Sequence, residues 1–589
     1  MGSKKSTKSV TIRKYEVRIL FLVFFLSIVY CLLPTSVYSQ YTKYWVQFTD
    51  KNNSLYSTSN PSAFLSARSI QRRSNQGIAV VQNDLPVNQS YIDSVKKVPN
   101  VTFLNRSKWF NAITIACSDT NSLNIIKSFS FVQQTKPVKR LCGSSQFEEC
   151  NSSDVDRDLK YPFHSGIQSG AKSSEQMTFD STYYGKSYVQ VNMLNGVCMH
   201  NLGFQGQGMV IAVLDVGFDR VDSAAAFDTV ITNNQILGRR NFVDINNNVT
   251  PPGEHHGTWC LSLIAGNIPG ELIGTAPKAK FWLLRTEDGP TENVIEEDNW
   301  VSGAEFADSV GADILSTSLG YTDFDSVKID SVTKIPNPAN HTRADMDGNT
   351  TRISIGTDIA ASKGMLPVCA AGNMGLNPWH FIGAPADADS ALAVGAVDSI
   401  KQYVGYSSKG PSVDGRIKPN VAAQGHRPYI TDLADSIFNT YGGTSFACPL
   451  IAGMAACLWQ AHPSVTCMQL YHAIEQTASL ASNPDSLMGY GIPDFCAANN
   501  ILSVQENSAL AGDVLSVYPN PFSESTTLQV QGLNAWGLEL SVYDILGNLV
   551  HSQILVAQST TIRLDLARGV YTLKVKEGGR SYSAKLVKY

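Results

Sequence analysis

Along this chain the spacing of apolar positions changes several times, and each change marks a segment. After a basic start, Ile19–Leu33 is an apolar run closed by Pro34. From Tyr44 to about Cys117, short β-rich runs (Tyr44–Phe48, Ala112–Ile115) flank a helical stretch containing Ala63–Arg73. Between about Val138 and Asp180, Ser, Gly, Asp and Lys dominate without a sustained period, as in a linker. From Tyr184 to about Leu502, short apolar runs (Val210–Leu214, Lys280–Leu284, Ile314–Thr317, Leu366–Ala370) alternate with helical segments. Strands that are apolar on both faces and alternate with helices predict an α/β domain built on a parallel sheet. Tyr321–Thr351 is polar and reads as an inserted surface loop. Beyond Asn507 come short alternating runs at Val514–Tyr518, Thr526–Val530, Glu539–Tyr543, Thr560–Leu564, Val570–Val575 and Ser581–Val587, which predict a small all-β sandwich.

Length and charge narrow this picture. A chain of 589 residues exceeds one ordinary domain, and 43% apolar with 16% charged residues fits globular units with large cores. The predicted units are 1–39, 40–180, 181–505 and 510–589. A net charge of −4 and the lack of an interior basic block argue against nucleic-acid binding. Lys4, Lys5, Lys8, Arg13, Lys14 and Arg18 before Ile19–Leu33, with small residues up to Ser39, have the layout of a signal peptide cleaved after Ser39. The run is shorter than the ~20 residues that span a bilayer, which disfavours a membrane anchor. Of the 11 cysteines only Cys31 lies in that segment, so export leaves an even set able to form disulfides. Cys142–Cys150 and, less directly, Cys467–Cys496 are the pairings that sequence proximity suggests. No CxxC pair exists, so a zinc or redox site is not expected.

Three segments of the α/β region carry candidate chemistry. The strand Val210–Leu214 ends in Asp215-Val-Gly217, which puts a carboxylate at a strand's carboxyl end, where open α/β sheets bind ligands. His256-Gly-Thr258 opens an apolar helical stretch, and Gly257 permits close approach of another segment. Gly442-Gly-Thr-Ser445-Phe-Ala-Cys-Pro449 sets a serine in a Gly-rich turn at a helix N-terminus, where N–H groups and the helix dipole stabilise an oxyanion. Singly, each has a plainer reading: a turn-capping Asp, a surface His with His255 as a competitor, and an N-cap Ser.

Together the segments run Asp, His, Ser, and they closely resemble the three active-site motifs of the subtilisin-like (subtilase) family. Ser318-Leu319-Gly320 is similar to that family's substrate-binding segment, and Ala370-Ala-Gly-Asn373 to the segment bearing its oxyanion asparagine. The resemblance covers about residues 184–500 and implies a subtilisin-like parallel-sheet catalytic domain. It implies a serine endopeptidase in which Ser445 attacks, His256 moves the proton, Asp215 orients the imidazole, Asn373 binds the oxyanion, and Ser318, Leu319 and Gly320 pair with substrate. Trp259, Val216, Cys448 and Leu450 depart from the usual pattern without removing a proton-transferring or oxyanion-holding group.

The flanks extend the resemblance. Residues 40–180 lie where subtilases carry a small α/β propeptide, with a permanent accessory domain as the alternative, and maturation is expected near residues 175–184. Ser516-Val-Tyr-Pro-Asn-Pro-Phe522, Val542–Gly547, Gly569–Lys574 and Lys585–Lys588 look like the sorting domain of type IX secretion in Bacteroidetes-type bacteria. That implies secretion or surface display, with the secretion machinery as a partner; a generic carbohydrate- or protein-binding sandwich is the alternative. A catalytically dead adhesin would have lost a triad or oxyanion residue, and an α/β-hydrolase esterase would show Ser, Asp, His order and GxSxG. No metal ligand set and no organic cofactor are assigned. Asp345–Asn349 reads as a solvated turn in preference to a calcium loop, and a monomer acting on protein or peptide substrates is expected.

Overall fold

The computed structural model describes residues 41–140, 179–244, 248–325, 327–328, 334–431, 437–503, 515–531, 537–577 and 580–589. The expected signal peptide, most of the linker and the suggested Cys142–Cys150 pairing lie outside these residues.

The first unit contains β1 (Tyr41–Phe48), α1 (Ala67–Asn75), α2 (Gln89–Lys96), β2 (Val101–Ser107), β3 (Ala112–Cys117), α3 (Thr120–Ser128) and β4 (Val132–Arg140). Its antiparallel sheet has the order β2-β3-β1-β4. The helix expected over Ala63–Arg73 begins later, because the Ser66 side chain accepts from Ser69 N–H and fixes the N-terminus there. Alternate residues of the strands (Val46, Phe48, Ile113, Ile115) meet Ile92, Val95, Leu123 and Ile126 of α2 and α3 in one small core.

The central unit contains β5 (Val210–Asp215), β6 (Ile236–Asn241), α4 (His256–Ala265), β7 (Lys280–Arg285), α5 (Ile295–Val310), β8 (Ile314–Thr317), α6 (Arg352–Ser362), β9 (Leu366–Ala370), β10 (Leu392–Val397), β11 (Val421–Gln424), α7 (Thr444–Ala461) and α8 (Cys467–Gln476). Its seven-stranded sheet has the order β11-β10-β9-β8-β5-β7-β6, and every pairing is parallel. Period-two alternation buries β5 on both faces. Ile211 and Val213 join the core under α4 and α7, while Val210, Ala212 and Leu214 join the core under α5 and α6. The polar stretch Tyr321–Thr351 holds short paired strands at Val327–Lys328 and Lys334–Ile335. In it the Asp345 carboxylate accepts from Thr342, and that of Asp347 from Asn349 N–H and Thr350.

The last unit contains β12 (Leu515–Tyr518), β13 (Ser525–Val530), β14 (Glu539–Tyr543), β15 (Leu549–Ile554), β16 (Ser559–Arg563), β17 (Gly569–Glu577) and β18 (Arg580–Lys588). Sheets β12-β13-β16 and β15-β14-β17-β18 enclose one core containing Leu528, Ile562, Val542, Leu573 and Leu586.

The suggested Cys467–Cys496 pairing is not formed. Cys467 is a free, buried thiol facing Ala361 O, and Cys496 is bonded to Cys198 across 298 positions of sequence. The bond joins a short helix, Gly196–Asn201, to the segment that follows α8. Replacing Cys198 and Cys496 by serine should lower the unfolding free energy by about 2–4 kcal/mol, since the cross-link restricts the unfolded chain. Urea unfolding of oxidised protein and the double variant checks this, and equal midpoints would refute it.

The first unit docks on the central one through buried charge. Asp308 of α5 accepts from Arg72 at 2.6 Å, Arg73 at 2.8 and 2.9 Å, and Lys108 at 2.8 Å. Glu305, one turn earlier, accepts from Ser107 Oγ at 2.5 Å and from the backbone N–H of Lys108 and Trp109 at 2.6 and 2.9 Å. Burial opposes ionisation of Asp308, yet Lys108, Arg72 and Arg73 outweigh it and hold the carboxyl below its ordinary range.

Candidate active site

The carboxyl edge of the parallel sheet gathers every residue singled out by the sequence motifs. Asp215 ends β5, Ser318–Gly320 follow β8, Asn373 lies in the loop after β9, and His256 and Ser445 stand in the first turns of α4 and α7. Gly257 brings α4 against β5. A Cβ there would sit 2.4 Å from Gly217 O and 3.0 Å from Asp215 Cβ, so only glycine lets the helix start this close.

Asp215 is fully buried. Its Oδ1 lies 2.8 Å from His256 Nδ1 and also accepts the Val216 N–H at 2.8 Å. His255, the competing histidine, turns away, with Nδ1 3.3 Å from Asp219 Oδ2. Burial of His256 disfavours its charged form, but the Asp215 carboxylate outweighs this and raises the imidazole well above its ordinary range.

Ser445 joins this pair through its carbonyl. Pro449, four residues on in α7, has no N–H to give to Ser445 O, so that oxygen is free for other donors. It accepts from Ser318 Oγ at 2.9 Å and from Cys260 Sγ at 3.4 Å. Burial keeps the Cys260 thiol above its ordinary range, hence a neutral donor, and its sulfur lies 3.9 and 4.0 Å from the ring nitrogens of His256. Among the described residues no hydrogen bond joins Ser445 Oγ to His256 in this resting state; such contacts commonly tighten only around substrate.

Asn373 is held by its oxygen. Its Oδ1 accepts from Thr444 N–H at 2.9 Å and Thr444 Oγ1 at 3.1 Å, which leaves the Nδ2 donors directed elsewhere. Thr444 Oγ1 also accepts from Gly372 N–H at 3.1 Å, fixing the loop to the start of α7. The departures from the motif pattern are packing residues. Cys448 is buried against Thr317 O and Val368 O, with its thiol pushed well up by burial. Leu450 lies in the core, and Trp259 stacks on Tyr441 at 4.6 Å between ring centroids.

Sequence reasoning missed Cys260 and Thr444, which carry no motif of their own beyond position i+4 from His256 and i−1 from Ser445. It also missed an acidic group between the end of β7 and the first turn of α5, in which oxygens of Glu287, Glu292 and Glu296 lie within 4.8 Å of one another.

The subtilase family model matches residues 206–491. A Bacteroidota peptidase S8 propeptide domain matches 43–152, and a secretion-system C-terminal sorting domain matches 516–589. Subtilisin E of Bacillus subtilis (strain 168) is 28% identical over 296 residues, which are 50% of this chain and 66% of that protein. The subtilisin of Bacillus pumilus is 27% identical over 292 residues, 49% of this chain and 90% of that protein. The chain thus spans slightly less than two thirds of the length of the first of these relatives. Among solved structures, MycP1 from Mycobacterium smegmatis is similar at 21% identity and a TM-score of 0.41, over 55% of this chain and 86% of that one. With its central unit matched in sequence and the two flanking units matched by independent domain families, the chain contains a subtilase-family domain, preceded by a Bacteroidota-type propeptide domain and followed by a C-terminal type IX sorting domain.

Proposed function

We propose that this protein is a secreted serine endopeptidase whose acyl-enzyme forms on Ser445. The observation that carries the reading is the Asp215–His256 pair set at the sheet's carboxyl edge, with the Ser445 turn tied to it through Cys260 and Ser318. His256 takes the Ser445 proton through Nε2 as Oγ attacks the peptide carbonyl, because Nδ1 is engaged by Asp215. Asp215 stabilises the imidazolium, which then gives its proton to the leaving amine. The tetrahedral oxyanion is held by Asn373 Nδ2 and the Ser445 N–H. Ser318–Gly320 pairs as a strand with the substrate backbone, a mode tolerant of sequence. Water then gives a proton to His256 and attacks the acyl carbon, and His256 returns that proton to Ser445 Oγ as the ester bond breaks and the acid product leaves, a cycle that calls for no cofactor.

The sorting domain supports passage across the outer membrane by the type IX machinery, to the cell surface or the medium, and we take the enzyme to act as a monomer. Purified mature protein should hydrolyse casein and take a fluorophosphonate label on Ser445, both lost in Ser445→Ala. Labelling without casein hydrolysis, or hydrolysis that survives the substitution, would count against the reading. Asn373→Ala should lower kcat by about 10²–10³-fold with little change in KM, since the donor acts on charge that develops only in the transition state. Steady-state kinetics on a chromogenic peptide measures the split, and a loss confined to KM would assign Asn373 to ground-state binding instead.

A further inference from the structure

Three buried carboxylates nearby in the central unit have cationic partners. Glu297 is paired with His341 at 2.5 Å, Asp298 with Arg352 at 2.6 Å, and Asp308 with Arg72, Arg73 and Lys108. Glu287, Glu292 and Glu296 differ. Their oxygens lie within 4.8 Å of one another, yet none is ion-paired with a Lys or Arg among the described residues. Among the described residues Glu296 receives backbone donors, Asn293 N–H at 2.7 Å and Asp288 N–H at 3.2 Å. Glu292 Oε1 is buried without a hydrogen-bond partner among the described residues. The Glu254 carboxylate closes on the same loop, since a Cβ at Gly289 would come within 2.2 Å of its Oε1.

A second observation points to a ligand. Tyr321 is fully buried, and its hydroxyl has no hydrogen-bond partner among the described residues. Burial raises that hydroxyl well above its ordinary range, and Glu287, Glu296, Glu292 and Glu297 raise it further, so it lies within their electrostatic reach. In the empty protein burial and mutual repulsion hold Glu292 and Glu296 well above the ordinary carboxyl range, so the cluster keeps protons that an entering cation would displace. Burial, followed by Asp215, pushes Glu287 up to about 8.

The place of the cluster says which cation. Glu287 follows β7, the neighbour of the strand bearing Asp215, and both Asp215 and His256 act on its charge. Tyr321 directly follows Ser318–Gly320 in sequence. Glu287 and Glu292 remain half-buried, so the cluster is reached from solvent, and Thr286, next to Glu287, donates its N–H to Asp215 O at 3.0 Å, which sets the cluster beside the catalytic carboxylate. A resident divalent ion here would oppose the imidazolium that His256 must become, whereas a substrate side chain brings a single charge together with the bond to be cut. We propose that Glu287, Glu292 and Glu296, with the Tyr321 hydroxyl, form a subsite that selects a Lys or Arg side chain of the substrate near the scissile bond. This rests on the endopeptidase reading and deepens it by naming the substrate class.

The test uses the mature enzyme and N-acetylated peptides, in which one position at a time on either side of the bond carries Lys, Arg, norleucine or Glu. At one position Lys or Arg should exceed norleucine in kcat/KM by on the order of 10- to 100-fold, and Glu should be the poorest. Glu292→Gln should bring the Lys-to-norleucine ratio down about tenfold or more. That ratio is internal to each enzyme, so a change in the amount of folded protein does not move it. Fluorophosphonate labelling is run on every sample. Normal labelling with equal rates for Lys and norleucine at every position would overturn this proposal alone. So would rates set by added calcium or EDTA with no basic preference, which would make the cluster a divalent-cation site. Loss of labelling in the unaltered enzyme would overturn the peptidase reading, and this proposal with it.

Discussion

Replacing His256 by alanine should lower kcat on a peptide substrate by about 10⁶-fold, and adding Ser445→Ala should lower it little further. The expectation follows from the interdependence of the groups. Without a base Ser445 keeps its proton and is a weak nucleophile, and without Ser445 the base has no proton to take. On the proposed mechanism what remains in either variant is oxyanion binding by Asn373 and the Ser445 N–H. A double loss equal to the product of the single losses would mean that the two residues act separately. The same pair sets a pH dependence in the unaltered enzyme. The Asp215 carboxylate raises the His256 pKa in the resting state, and the base is the neutral ring. Activity should therefore climb as pH rises through a value above the usual 6.5 of histidine and fall on the acid side of it. A kcat/KM profile that is flat from pH 6 to 9 would contradict this.

The other large effect lies far from the chemistry. In the Ser445→Ala background, where no self-cleavage intervenes, Asp308→Ala should lower stability by about 3–5 kcal/mol, because it strands buried positive charge. Arg72, Arg73 and Lys108 converge on that carboxylate, and burial and lost partners act together on them. Asp222→Ala, which removes the exposed partner of Arg239, is the control and should cost under about 1 kcal/mol. Urea unfolding of the full chain distinguishes the two, and similar midpoints would show that the interface charge is solvated. Since the cations all come from the propeptide side, Asp308→Ala in enzyme that has already shed residues 41–140 should keep ordinary activity.

Much of this arrangement was legible in the sequence because local pattern and global fold agree. Ile314–Thr317 and Leu366–Ala370 are buried on both faces, so their apolar runs coincide with the observed strands. The three motifs could be joined because each pairs a reactive side chain with a glycine or helix start that only a shared edge explains. The strand Leu549–Ile554 was missed because it lies at the edge of its sheet with no buried side chain, and Val-His-Ser-Gln shows no apolar alternation. The Cys198–Cys496 bond was misjudged because pairing depends on where the chain returns, which spacing does not encode. The acidic subsite was hidden for a related reason. Glu296, Glu297 and Asp298 are ordinary first-turn residues of α5 by position, and only the fold shows that Glu297 and Asp298 find cations while Glu296 faces Glu287 and Glu292.

For the proposed endopeptidase the Cys198–Cys496 bond also bears on survival among other proteases. It fastens the beginning of the catalytic unit to its end, so a single cut in an intervening surface loop leaves both pieces attached and the ends cannot peel away. Disulfides form outside the reducing cytoplasm, so this ring closes only after export. Before export the same chain lacks it and is the easier target for housekeeping degradation, which ties the lifetime of the enzyme to the compartment in which its activity is safe.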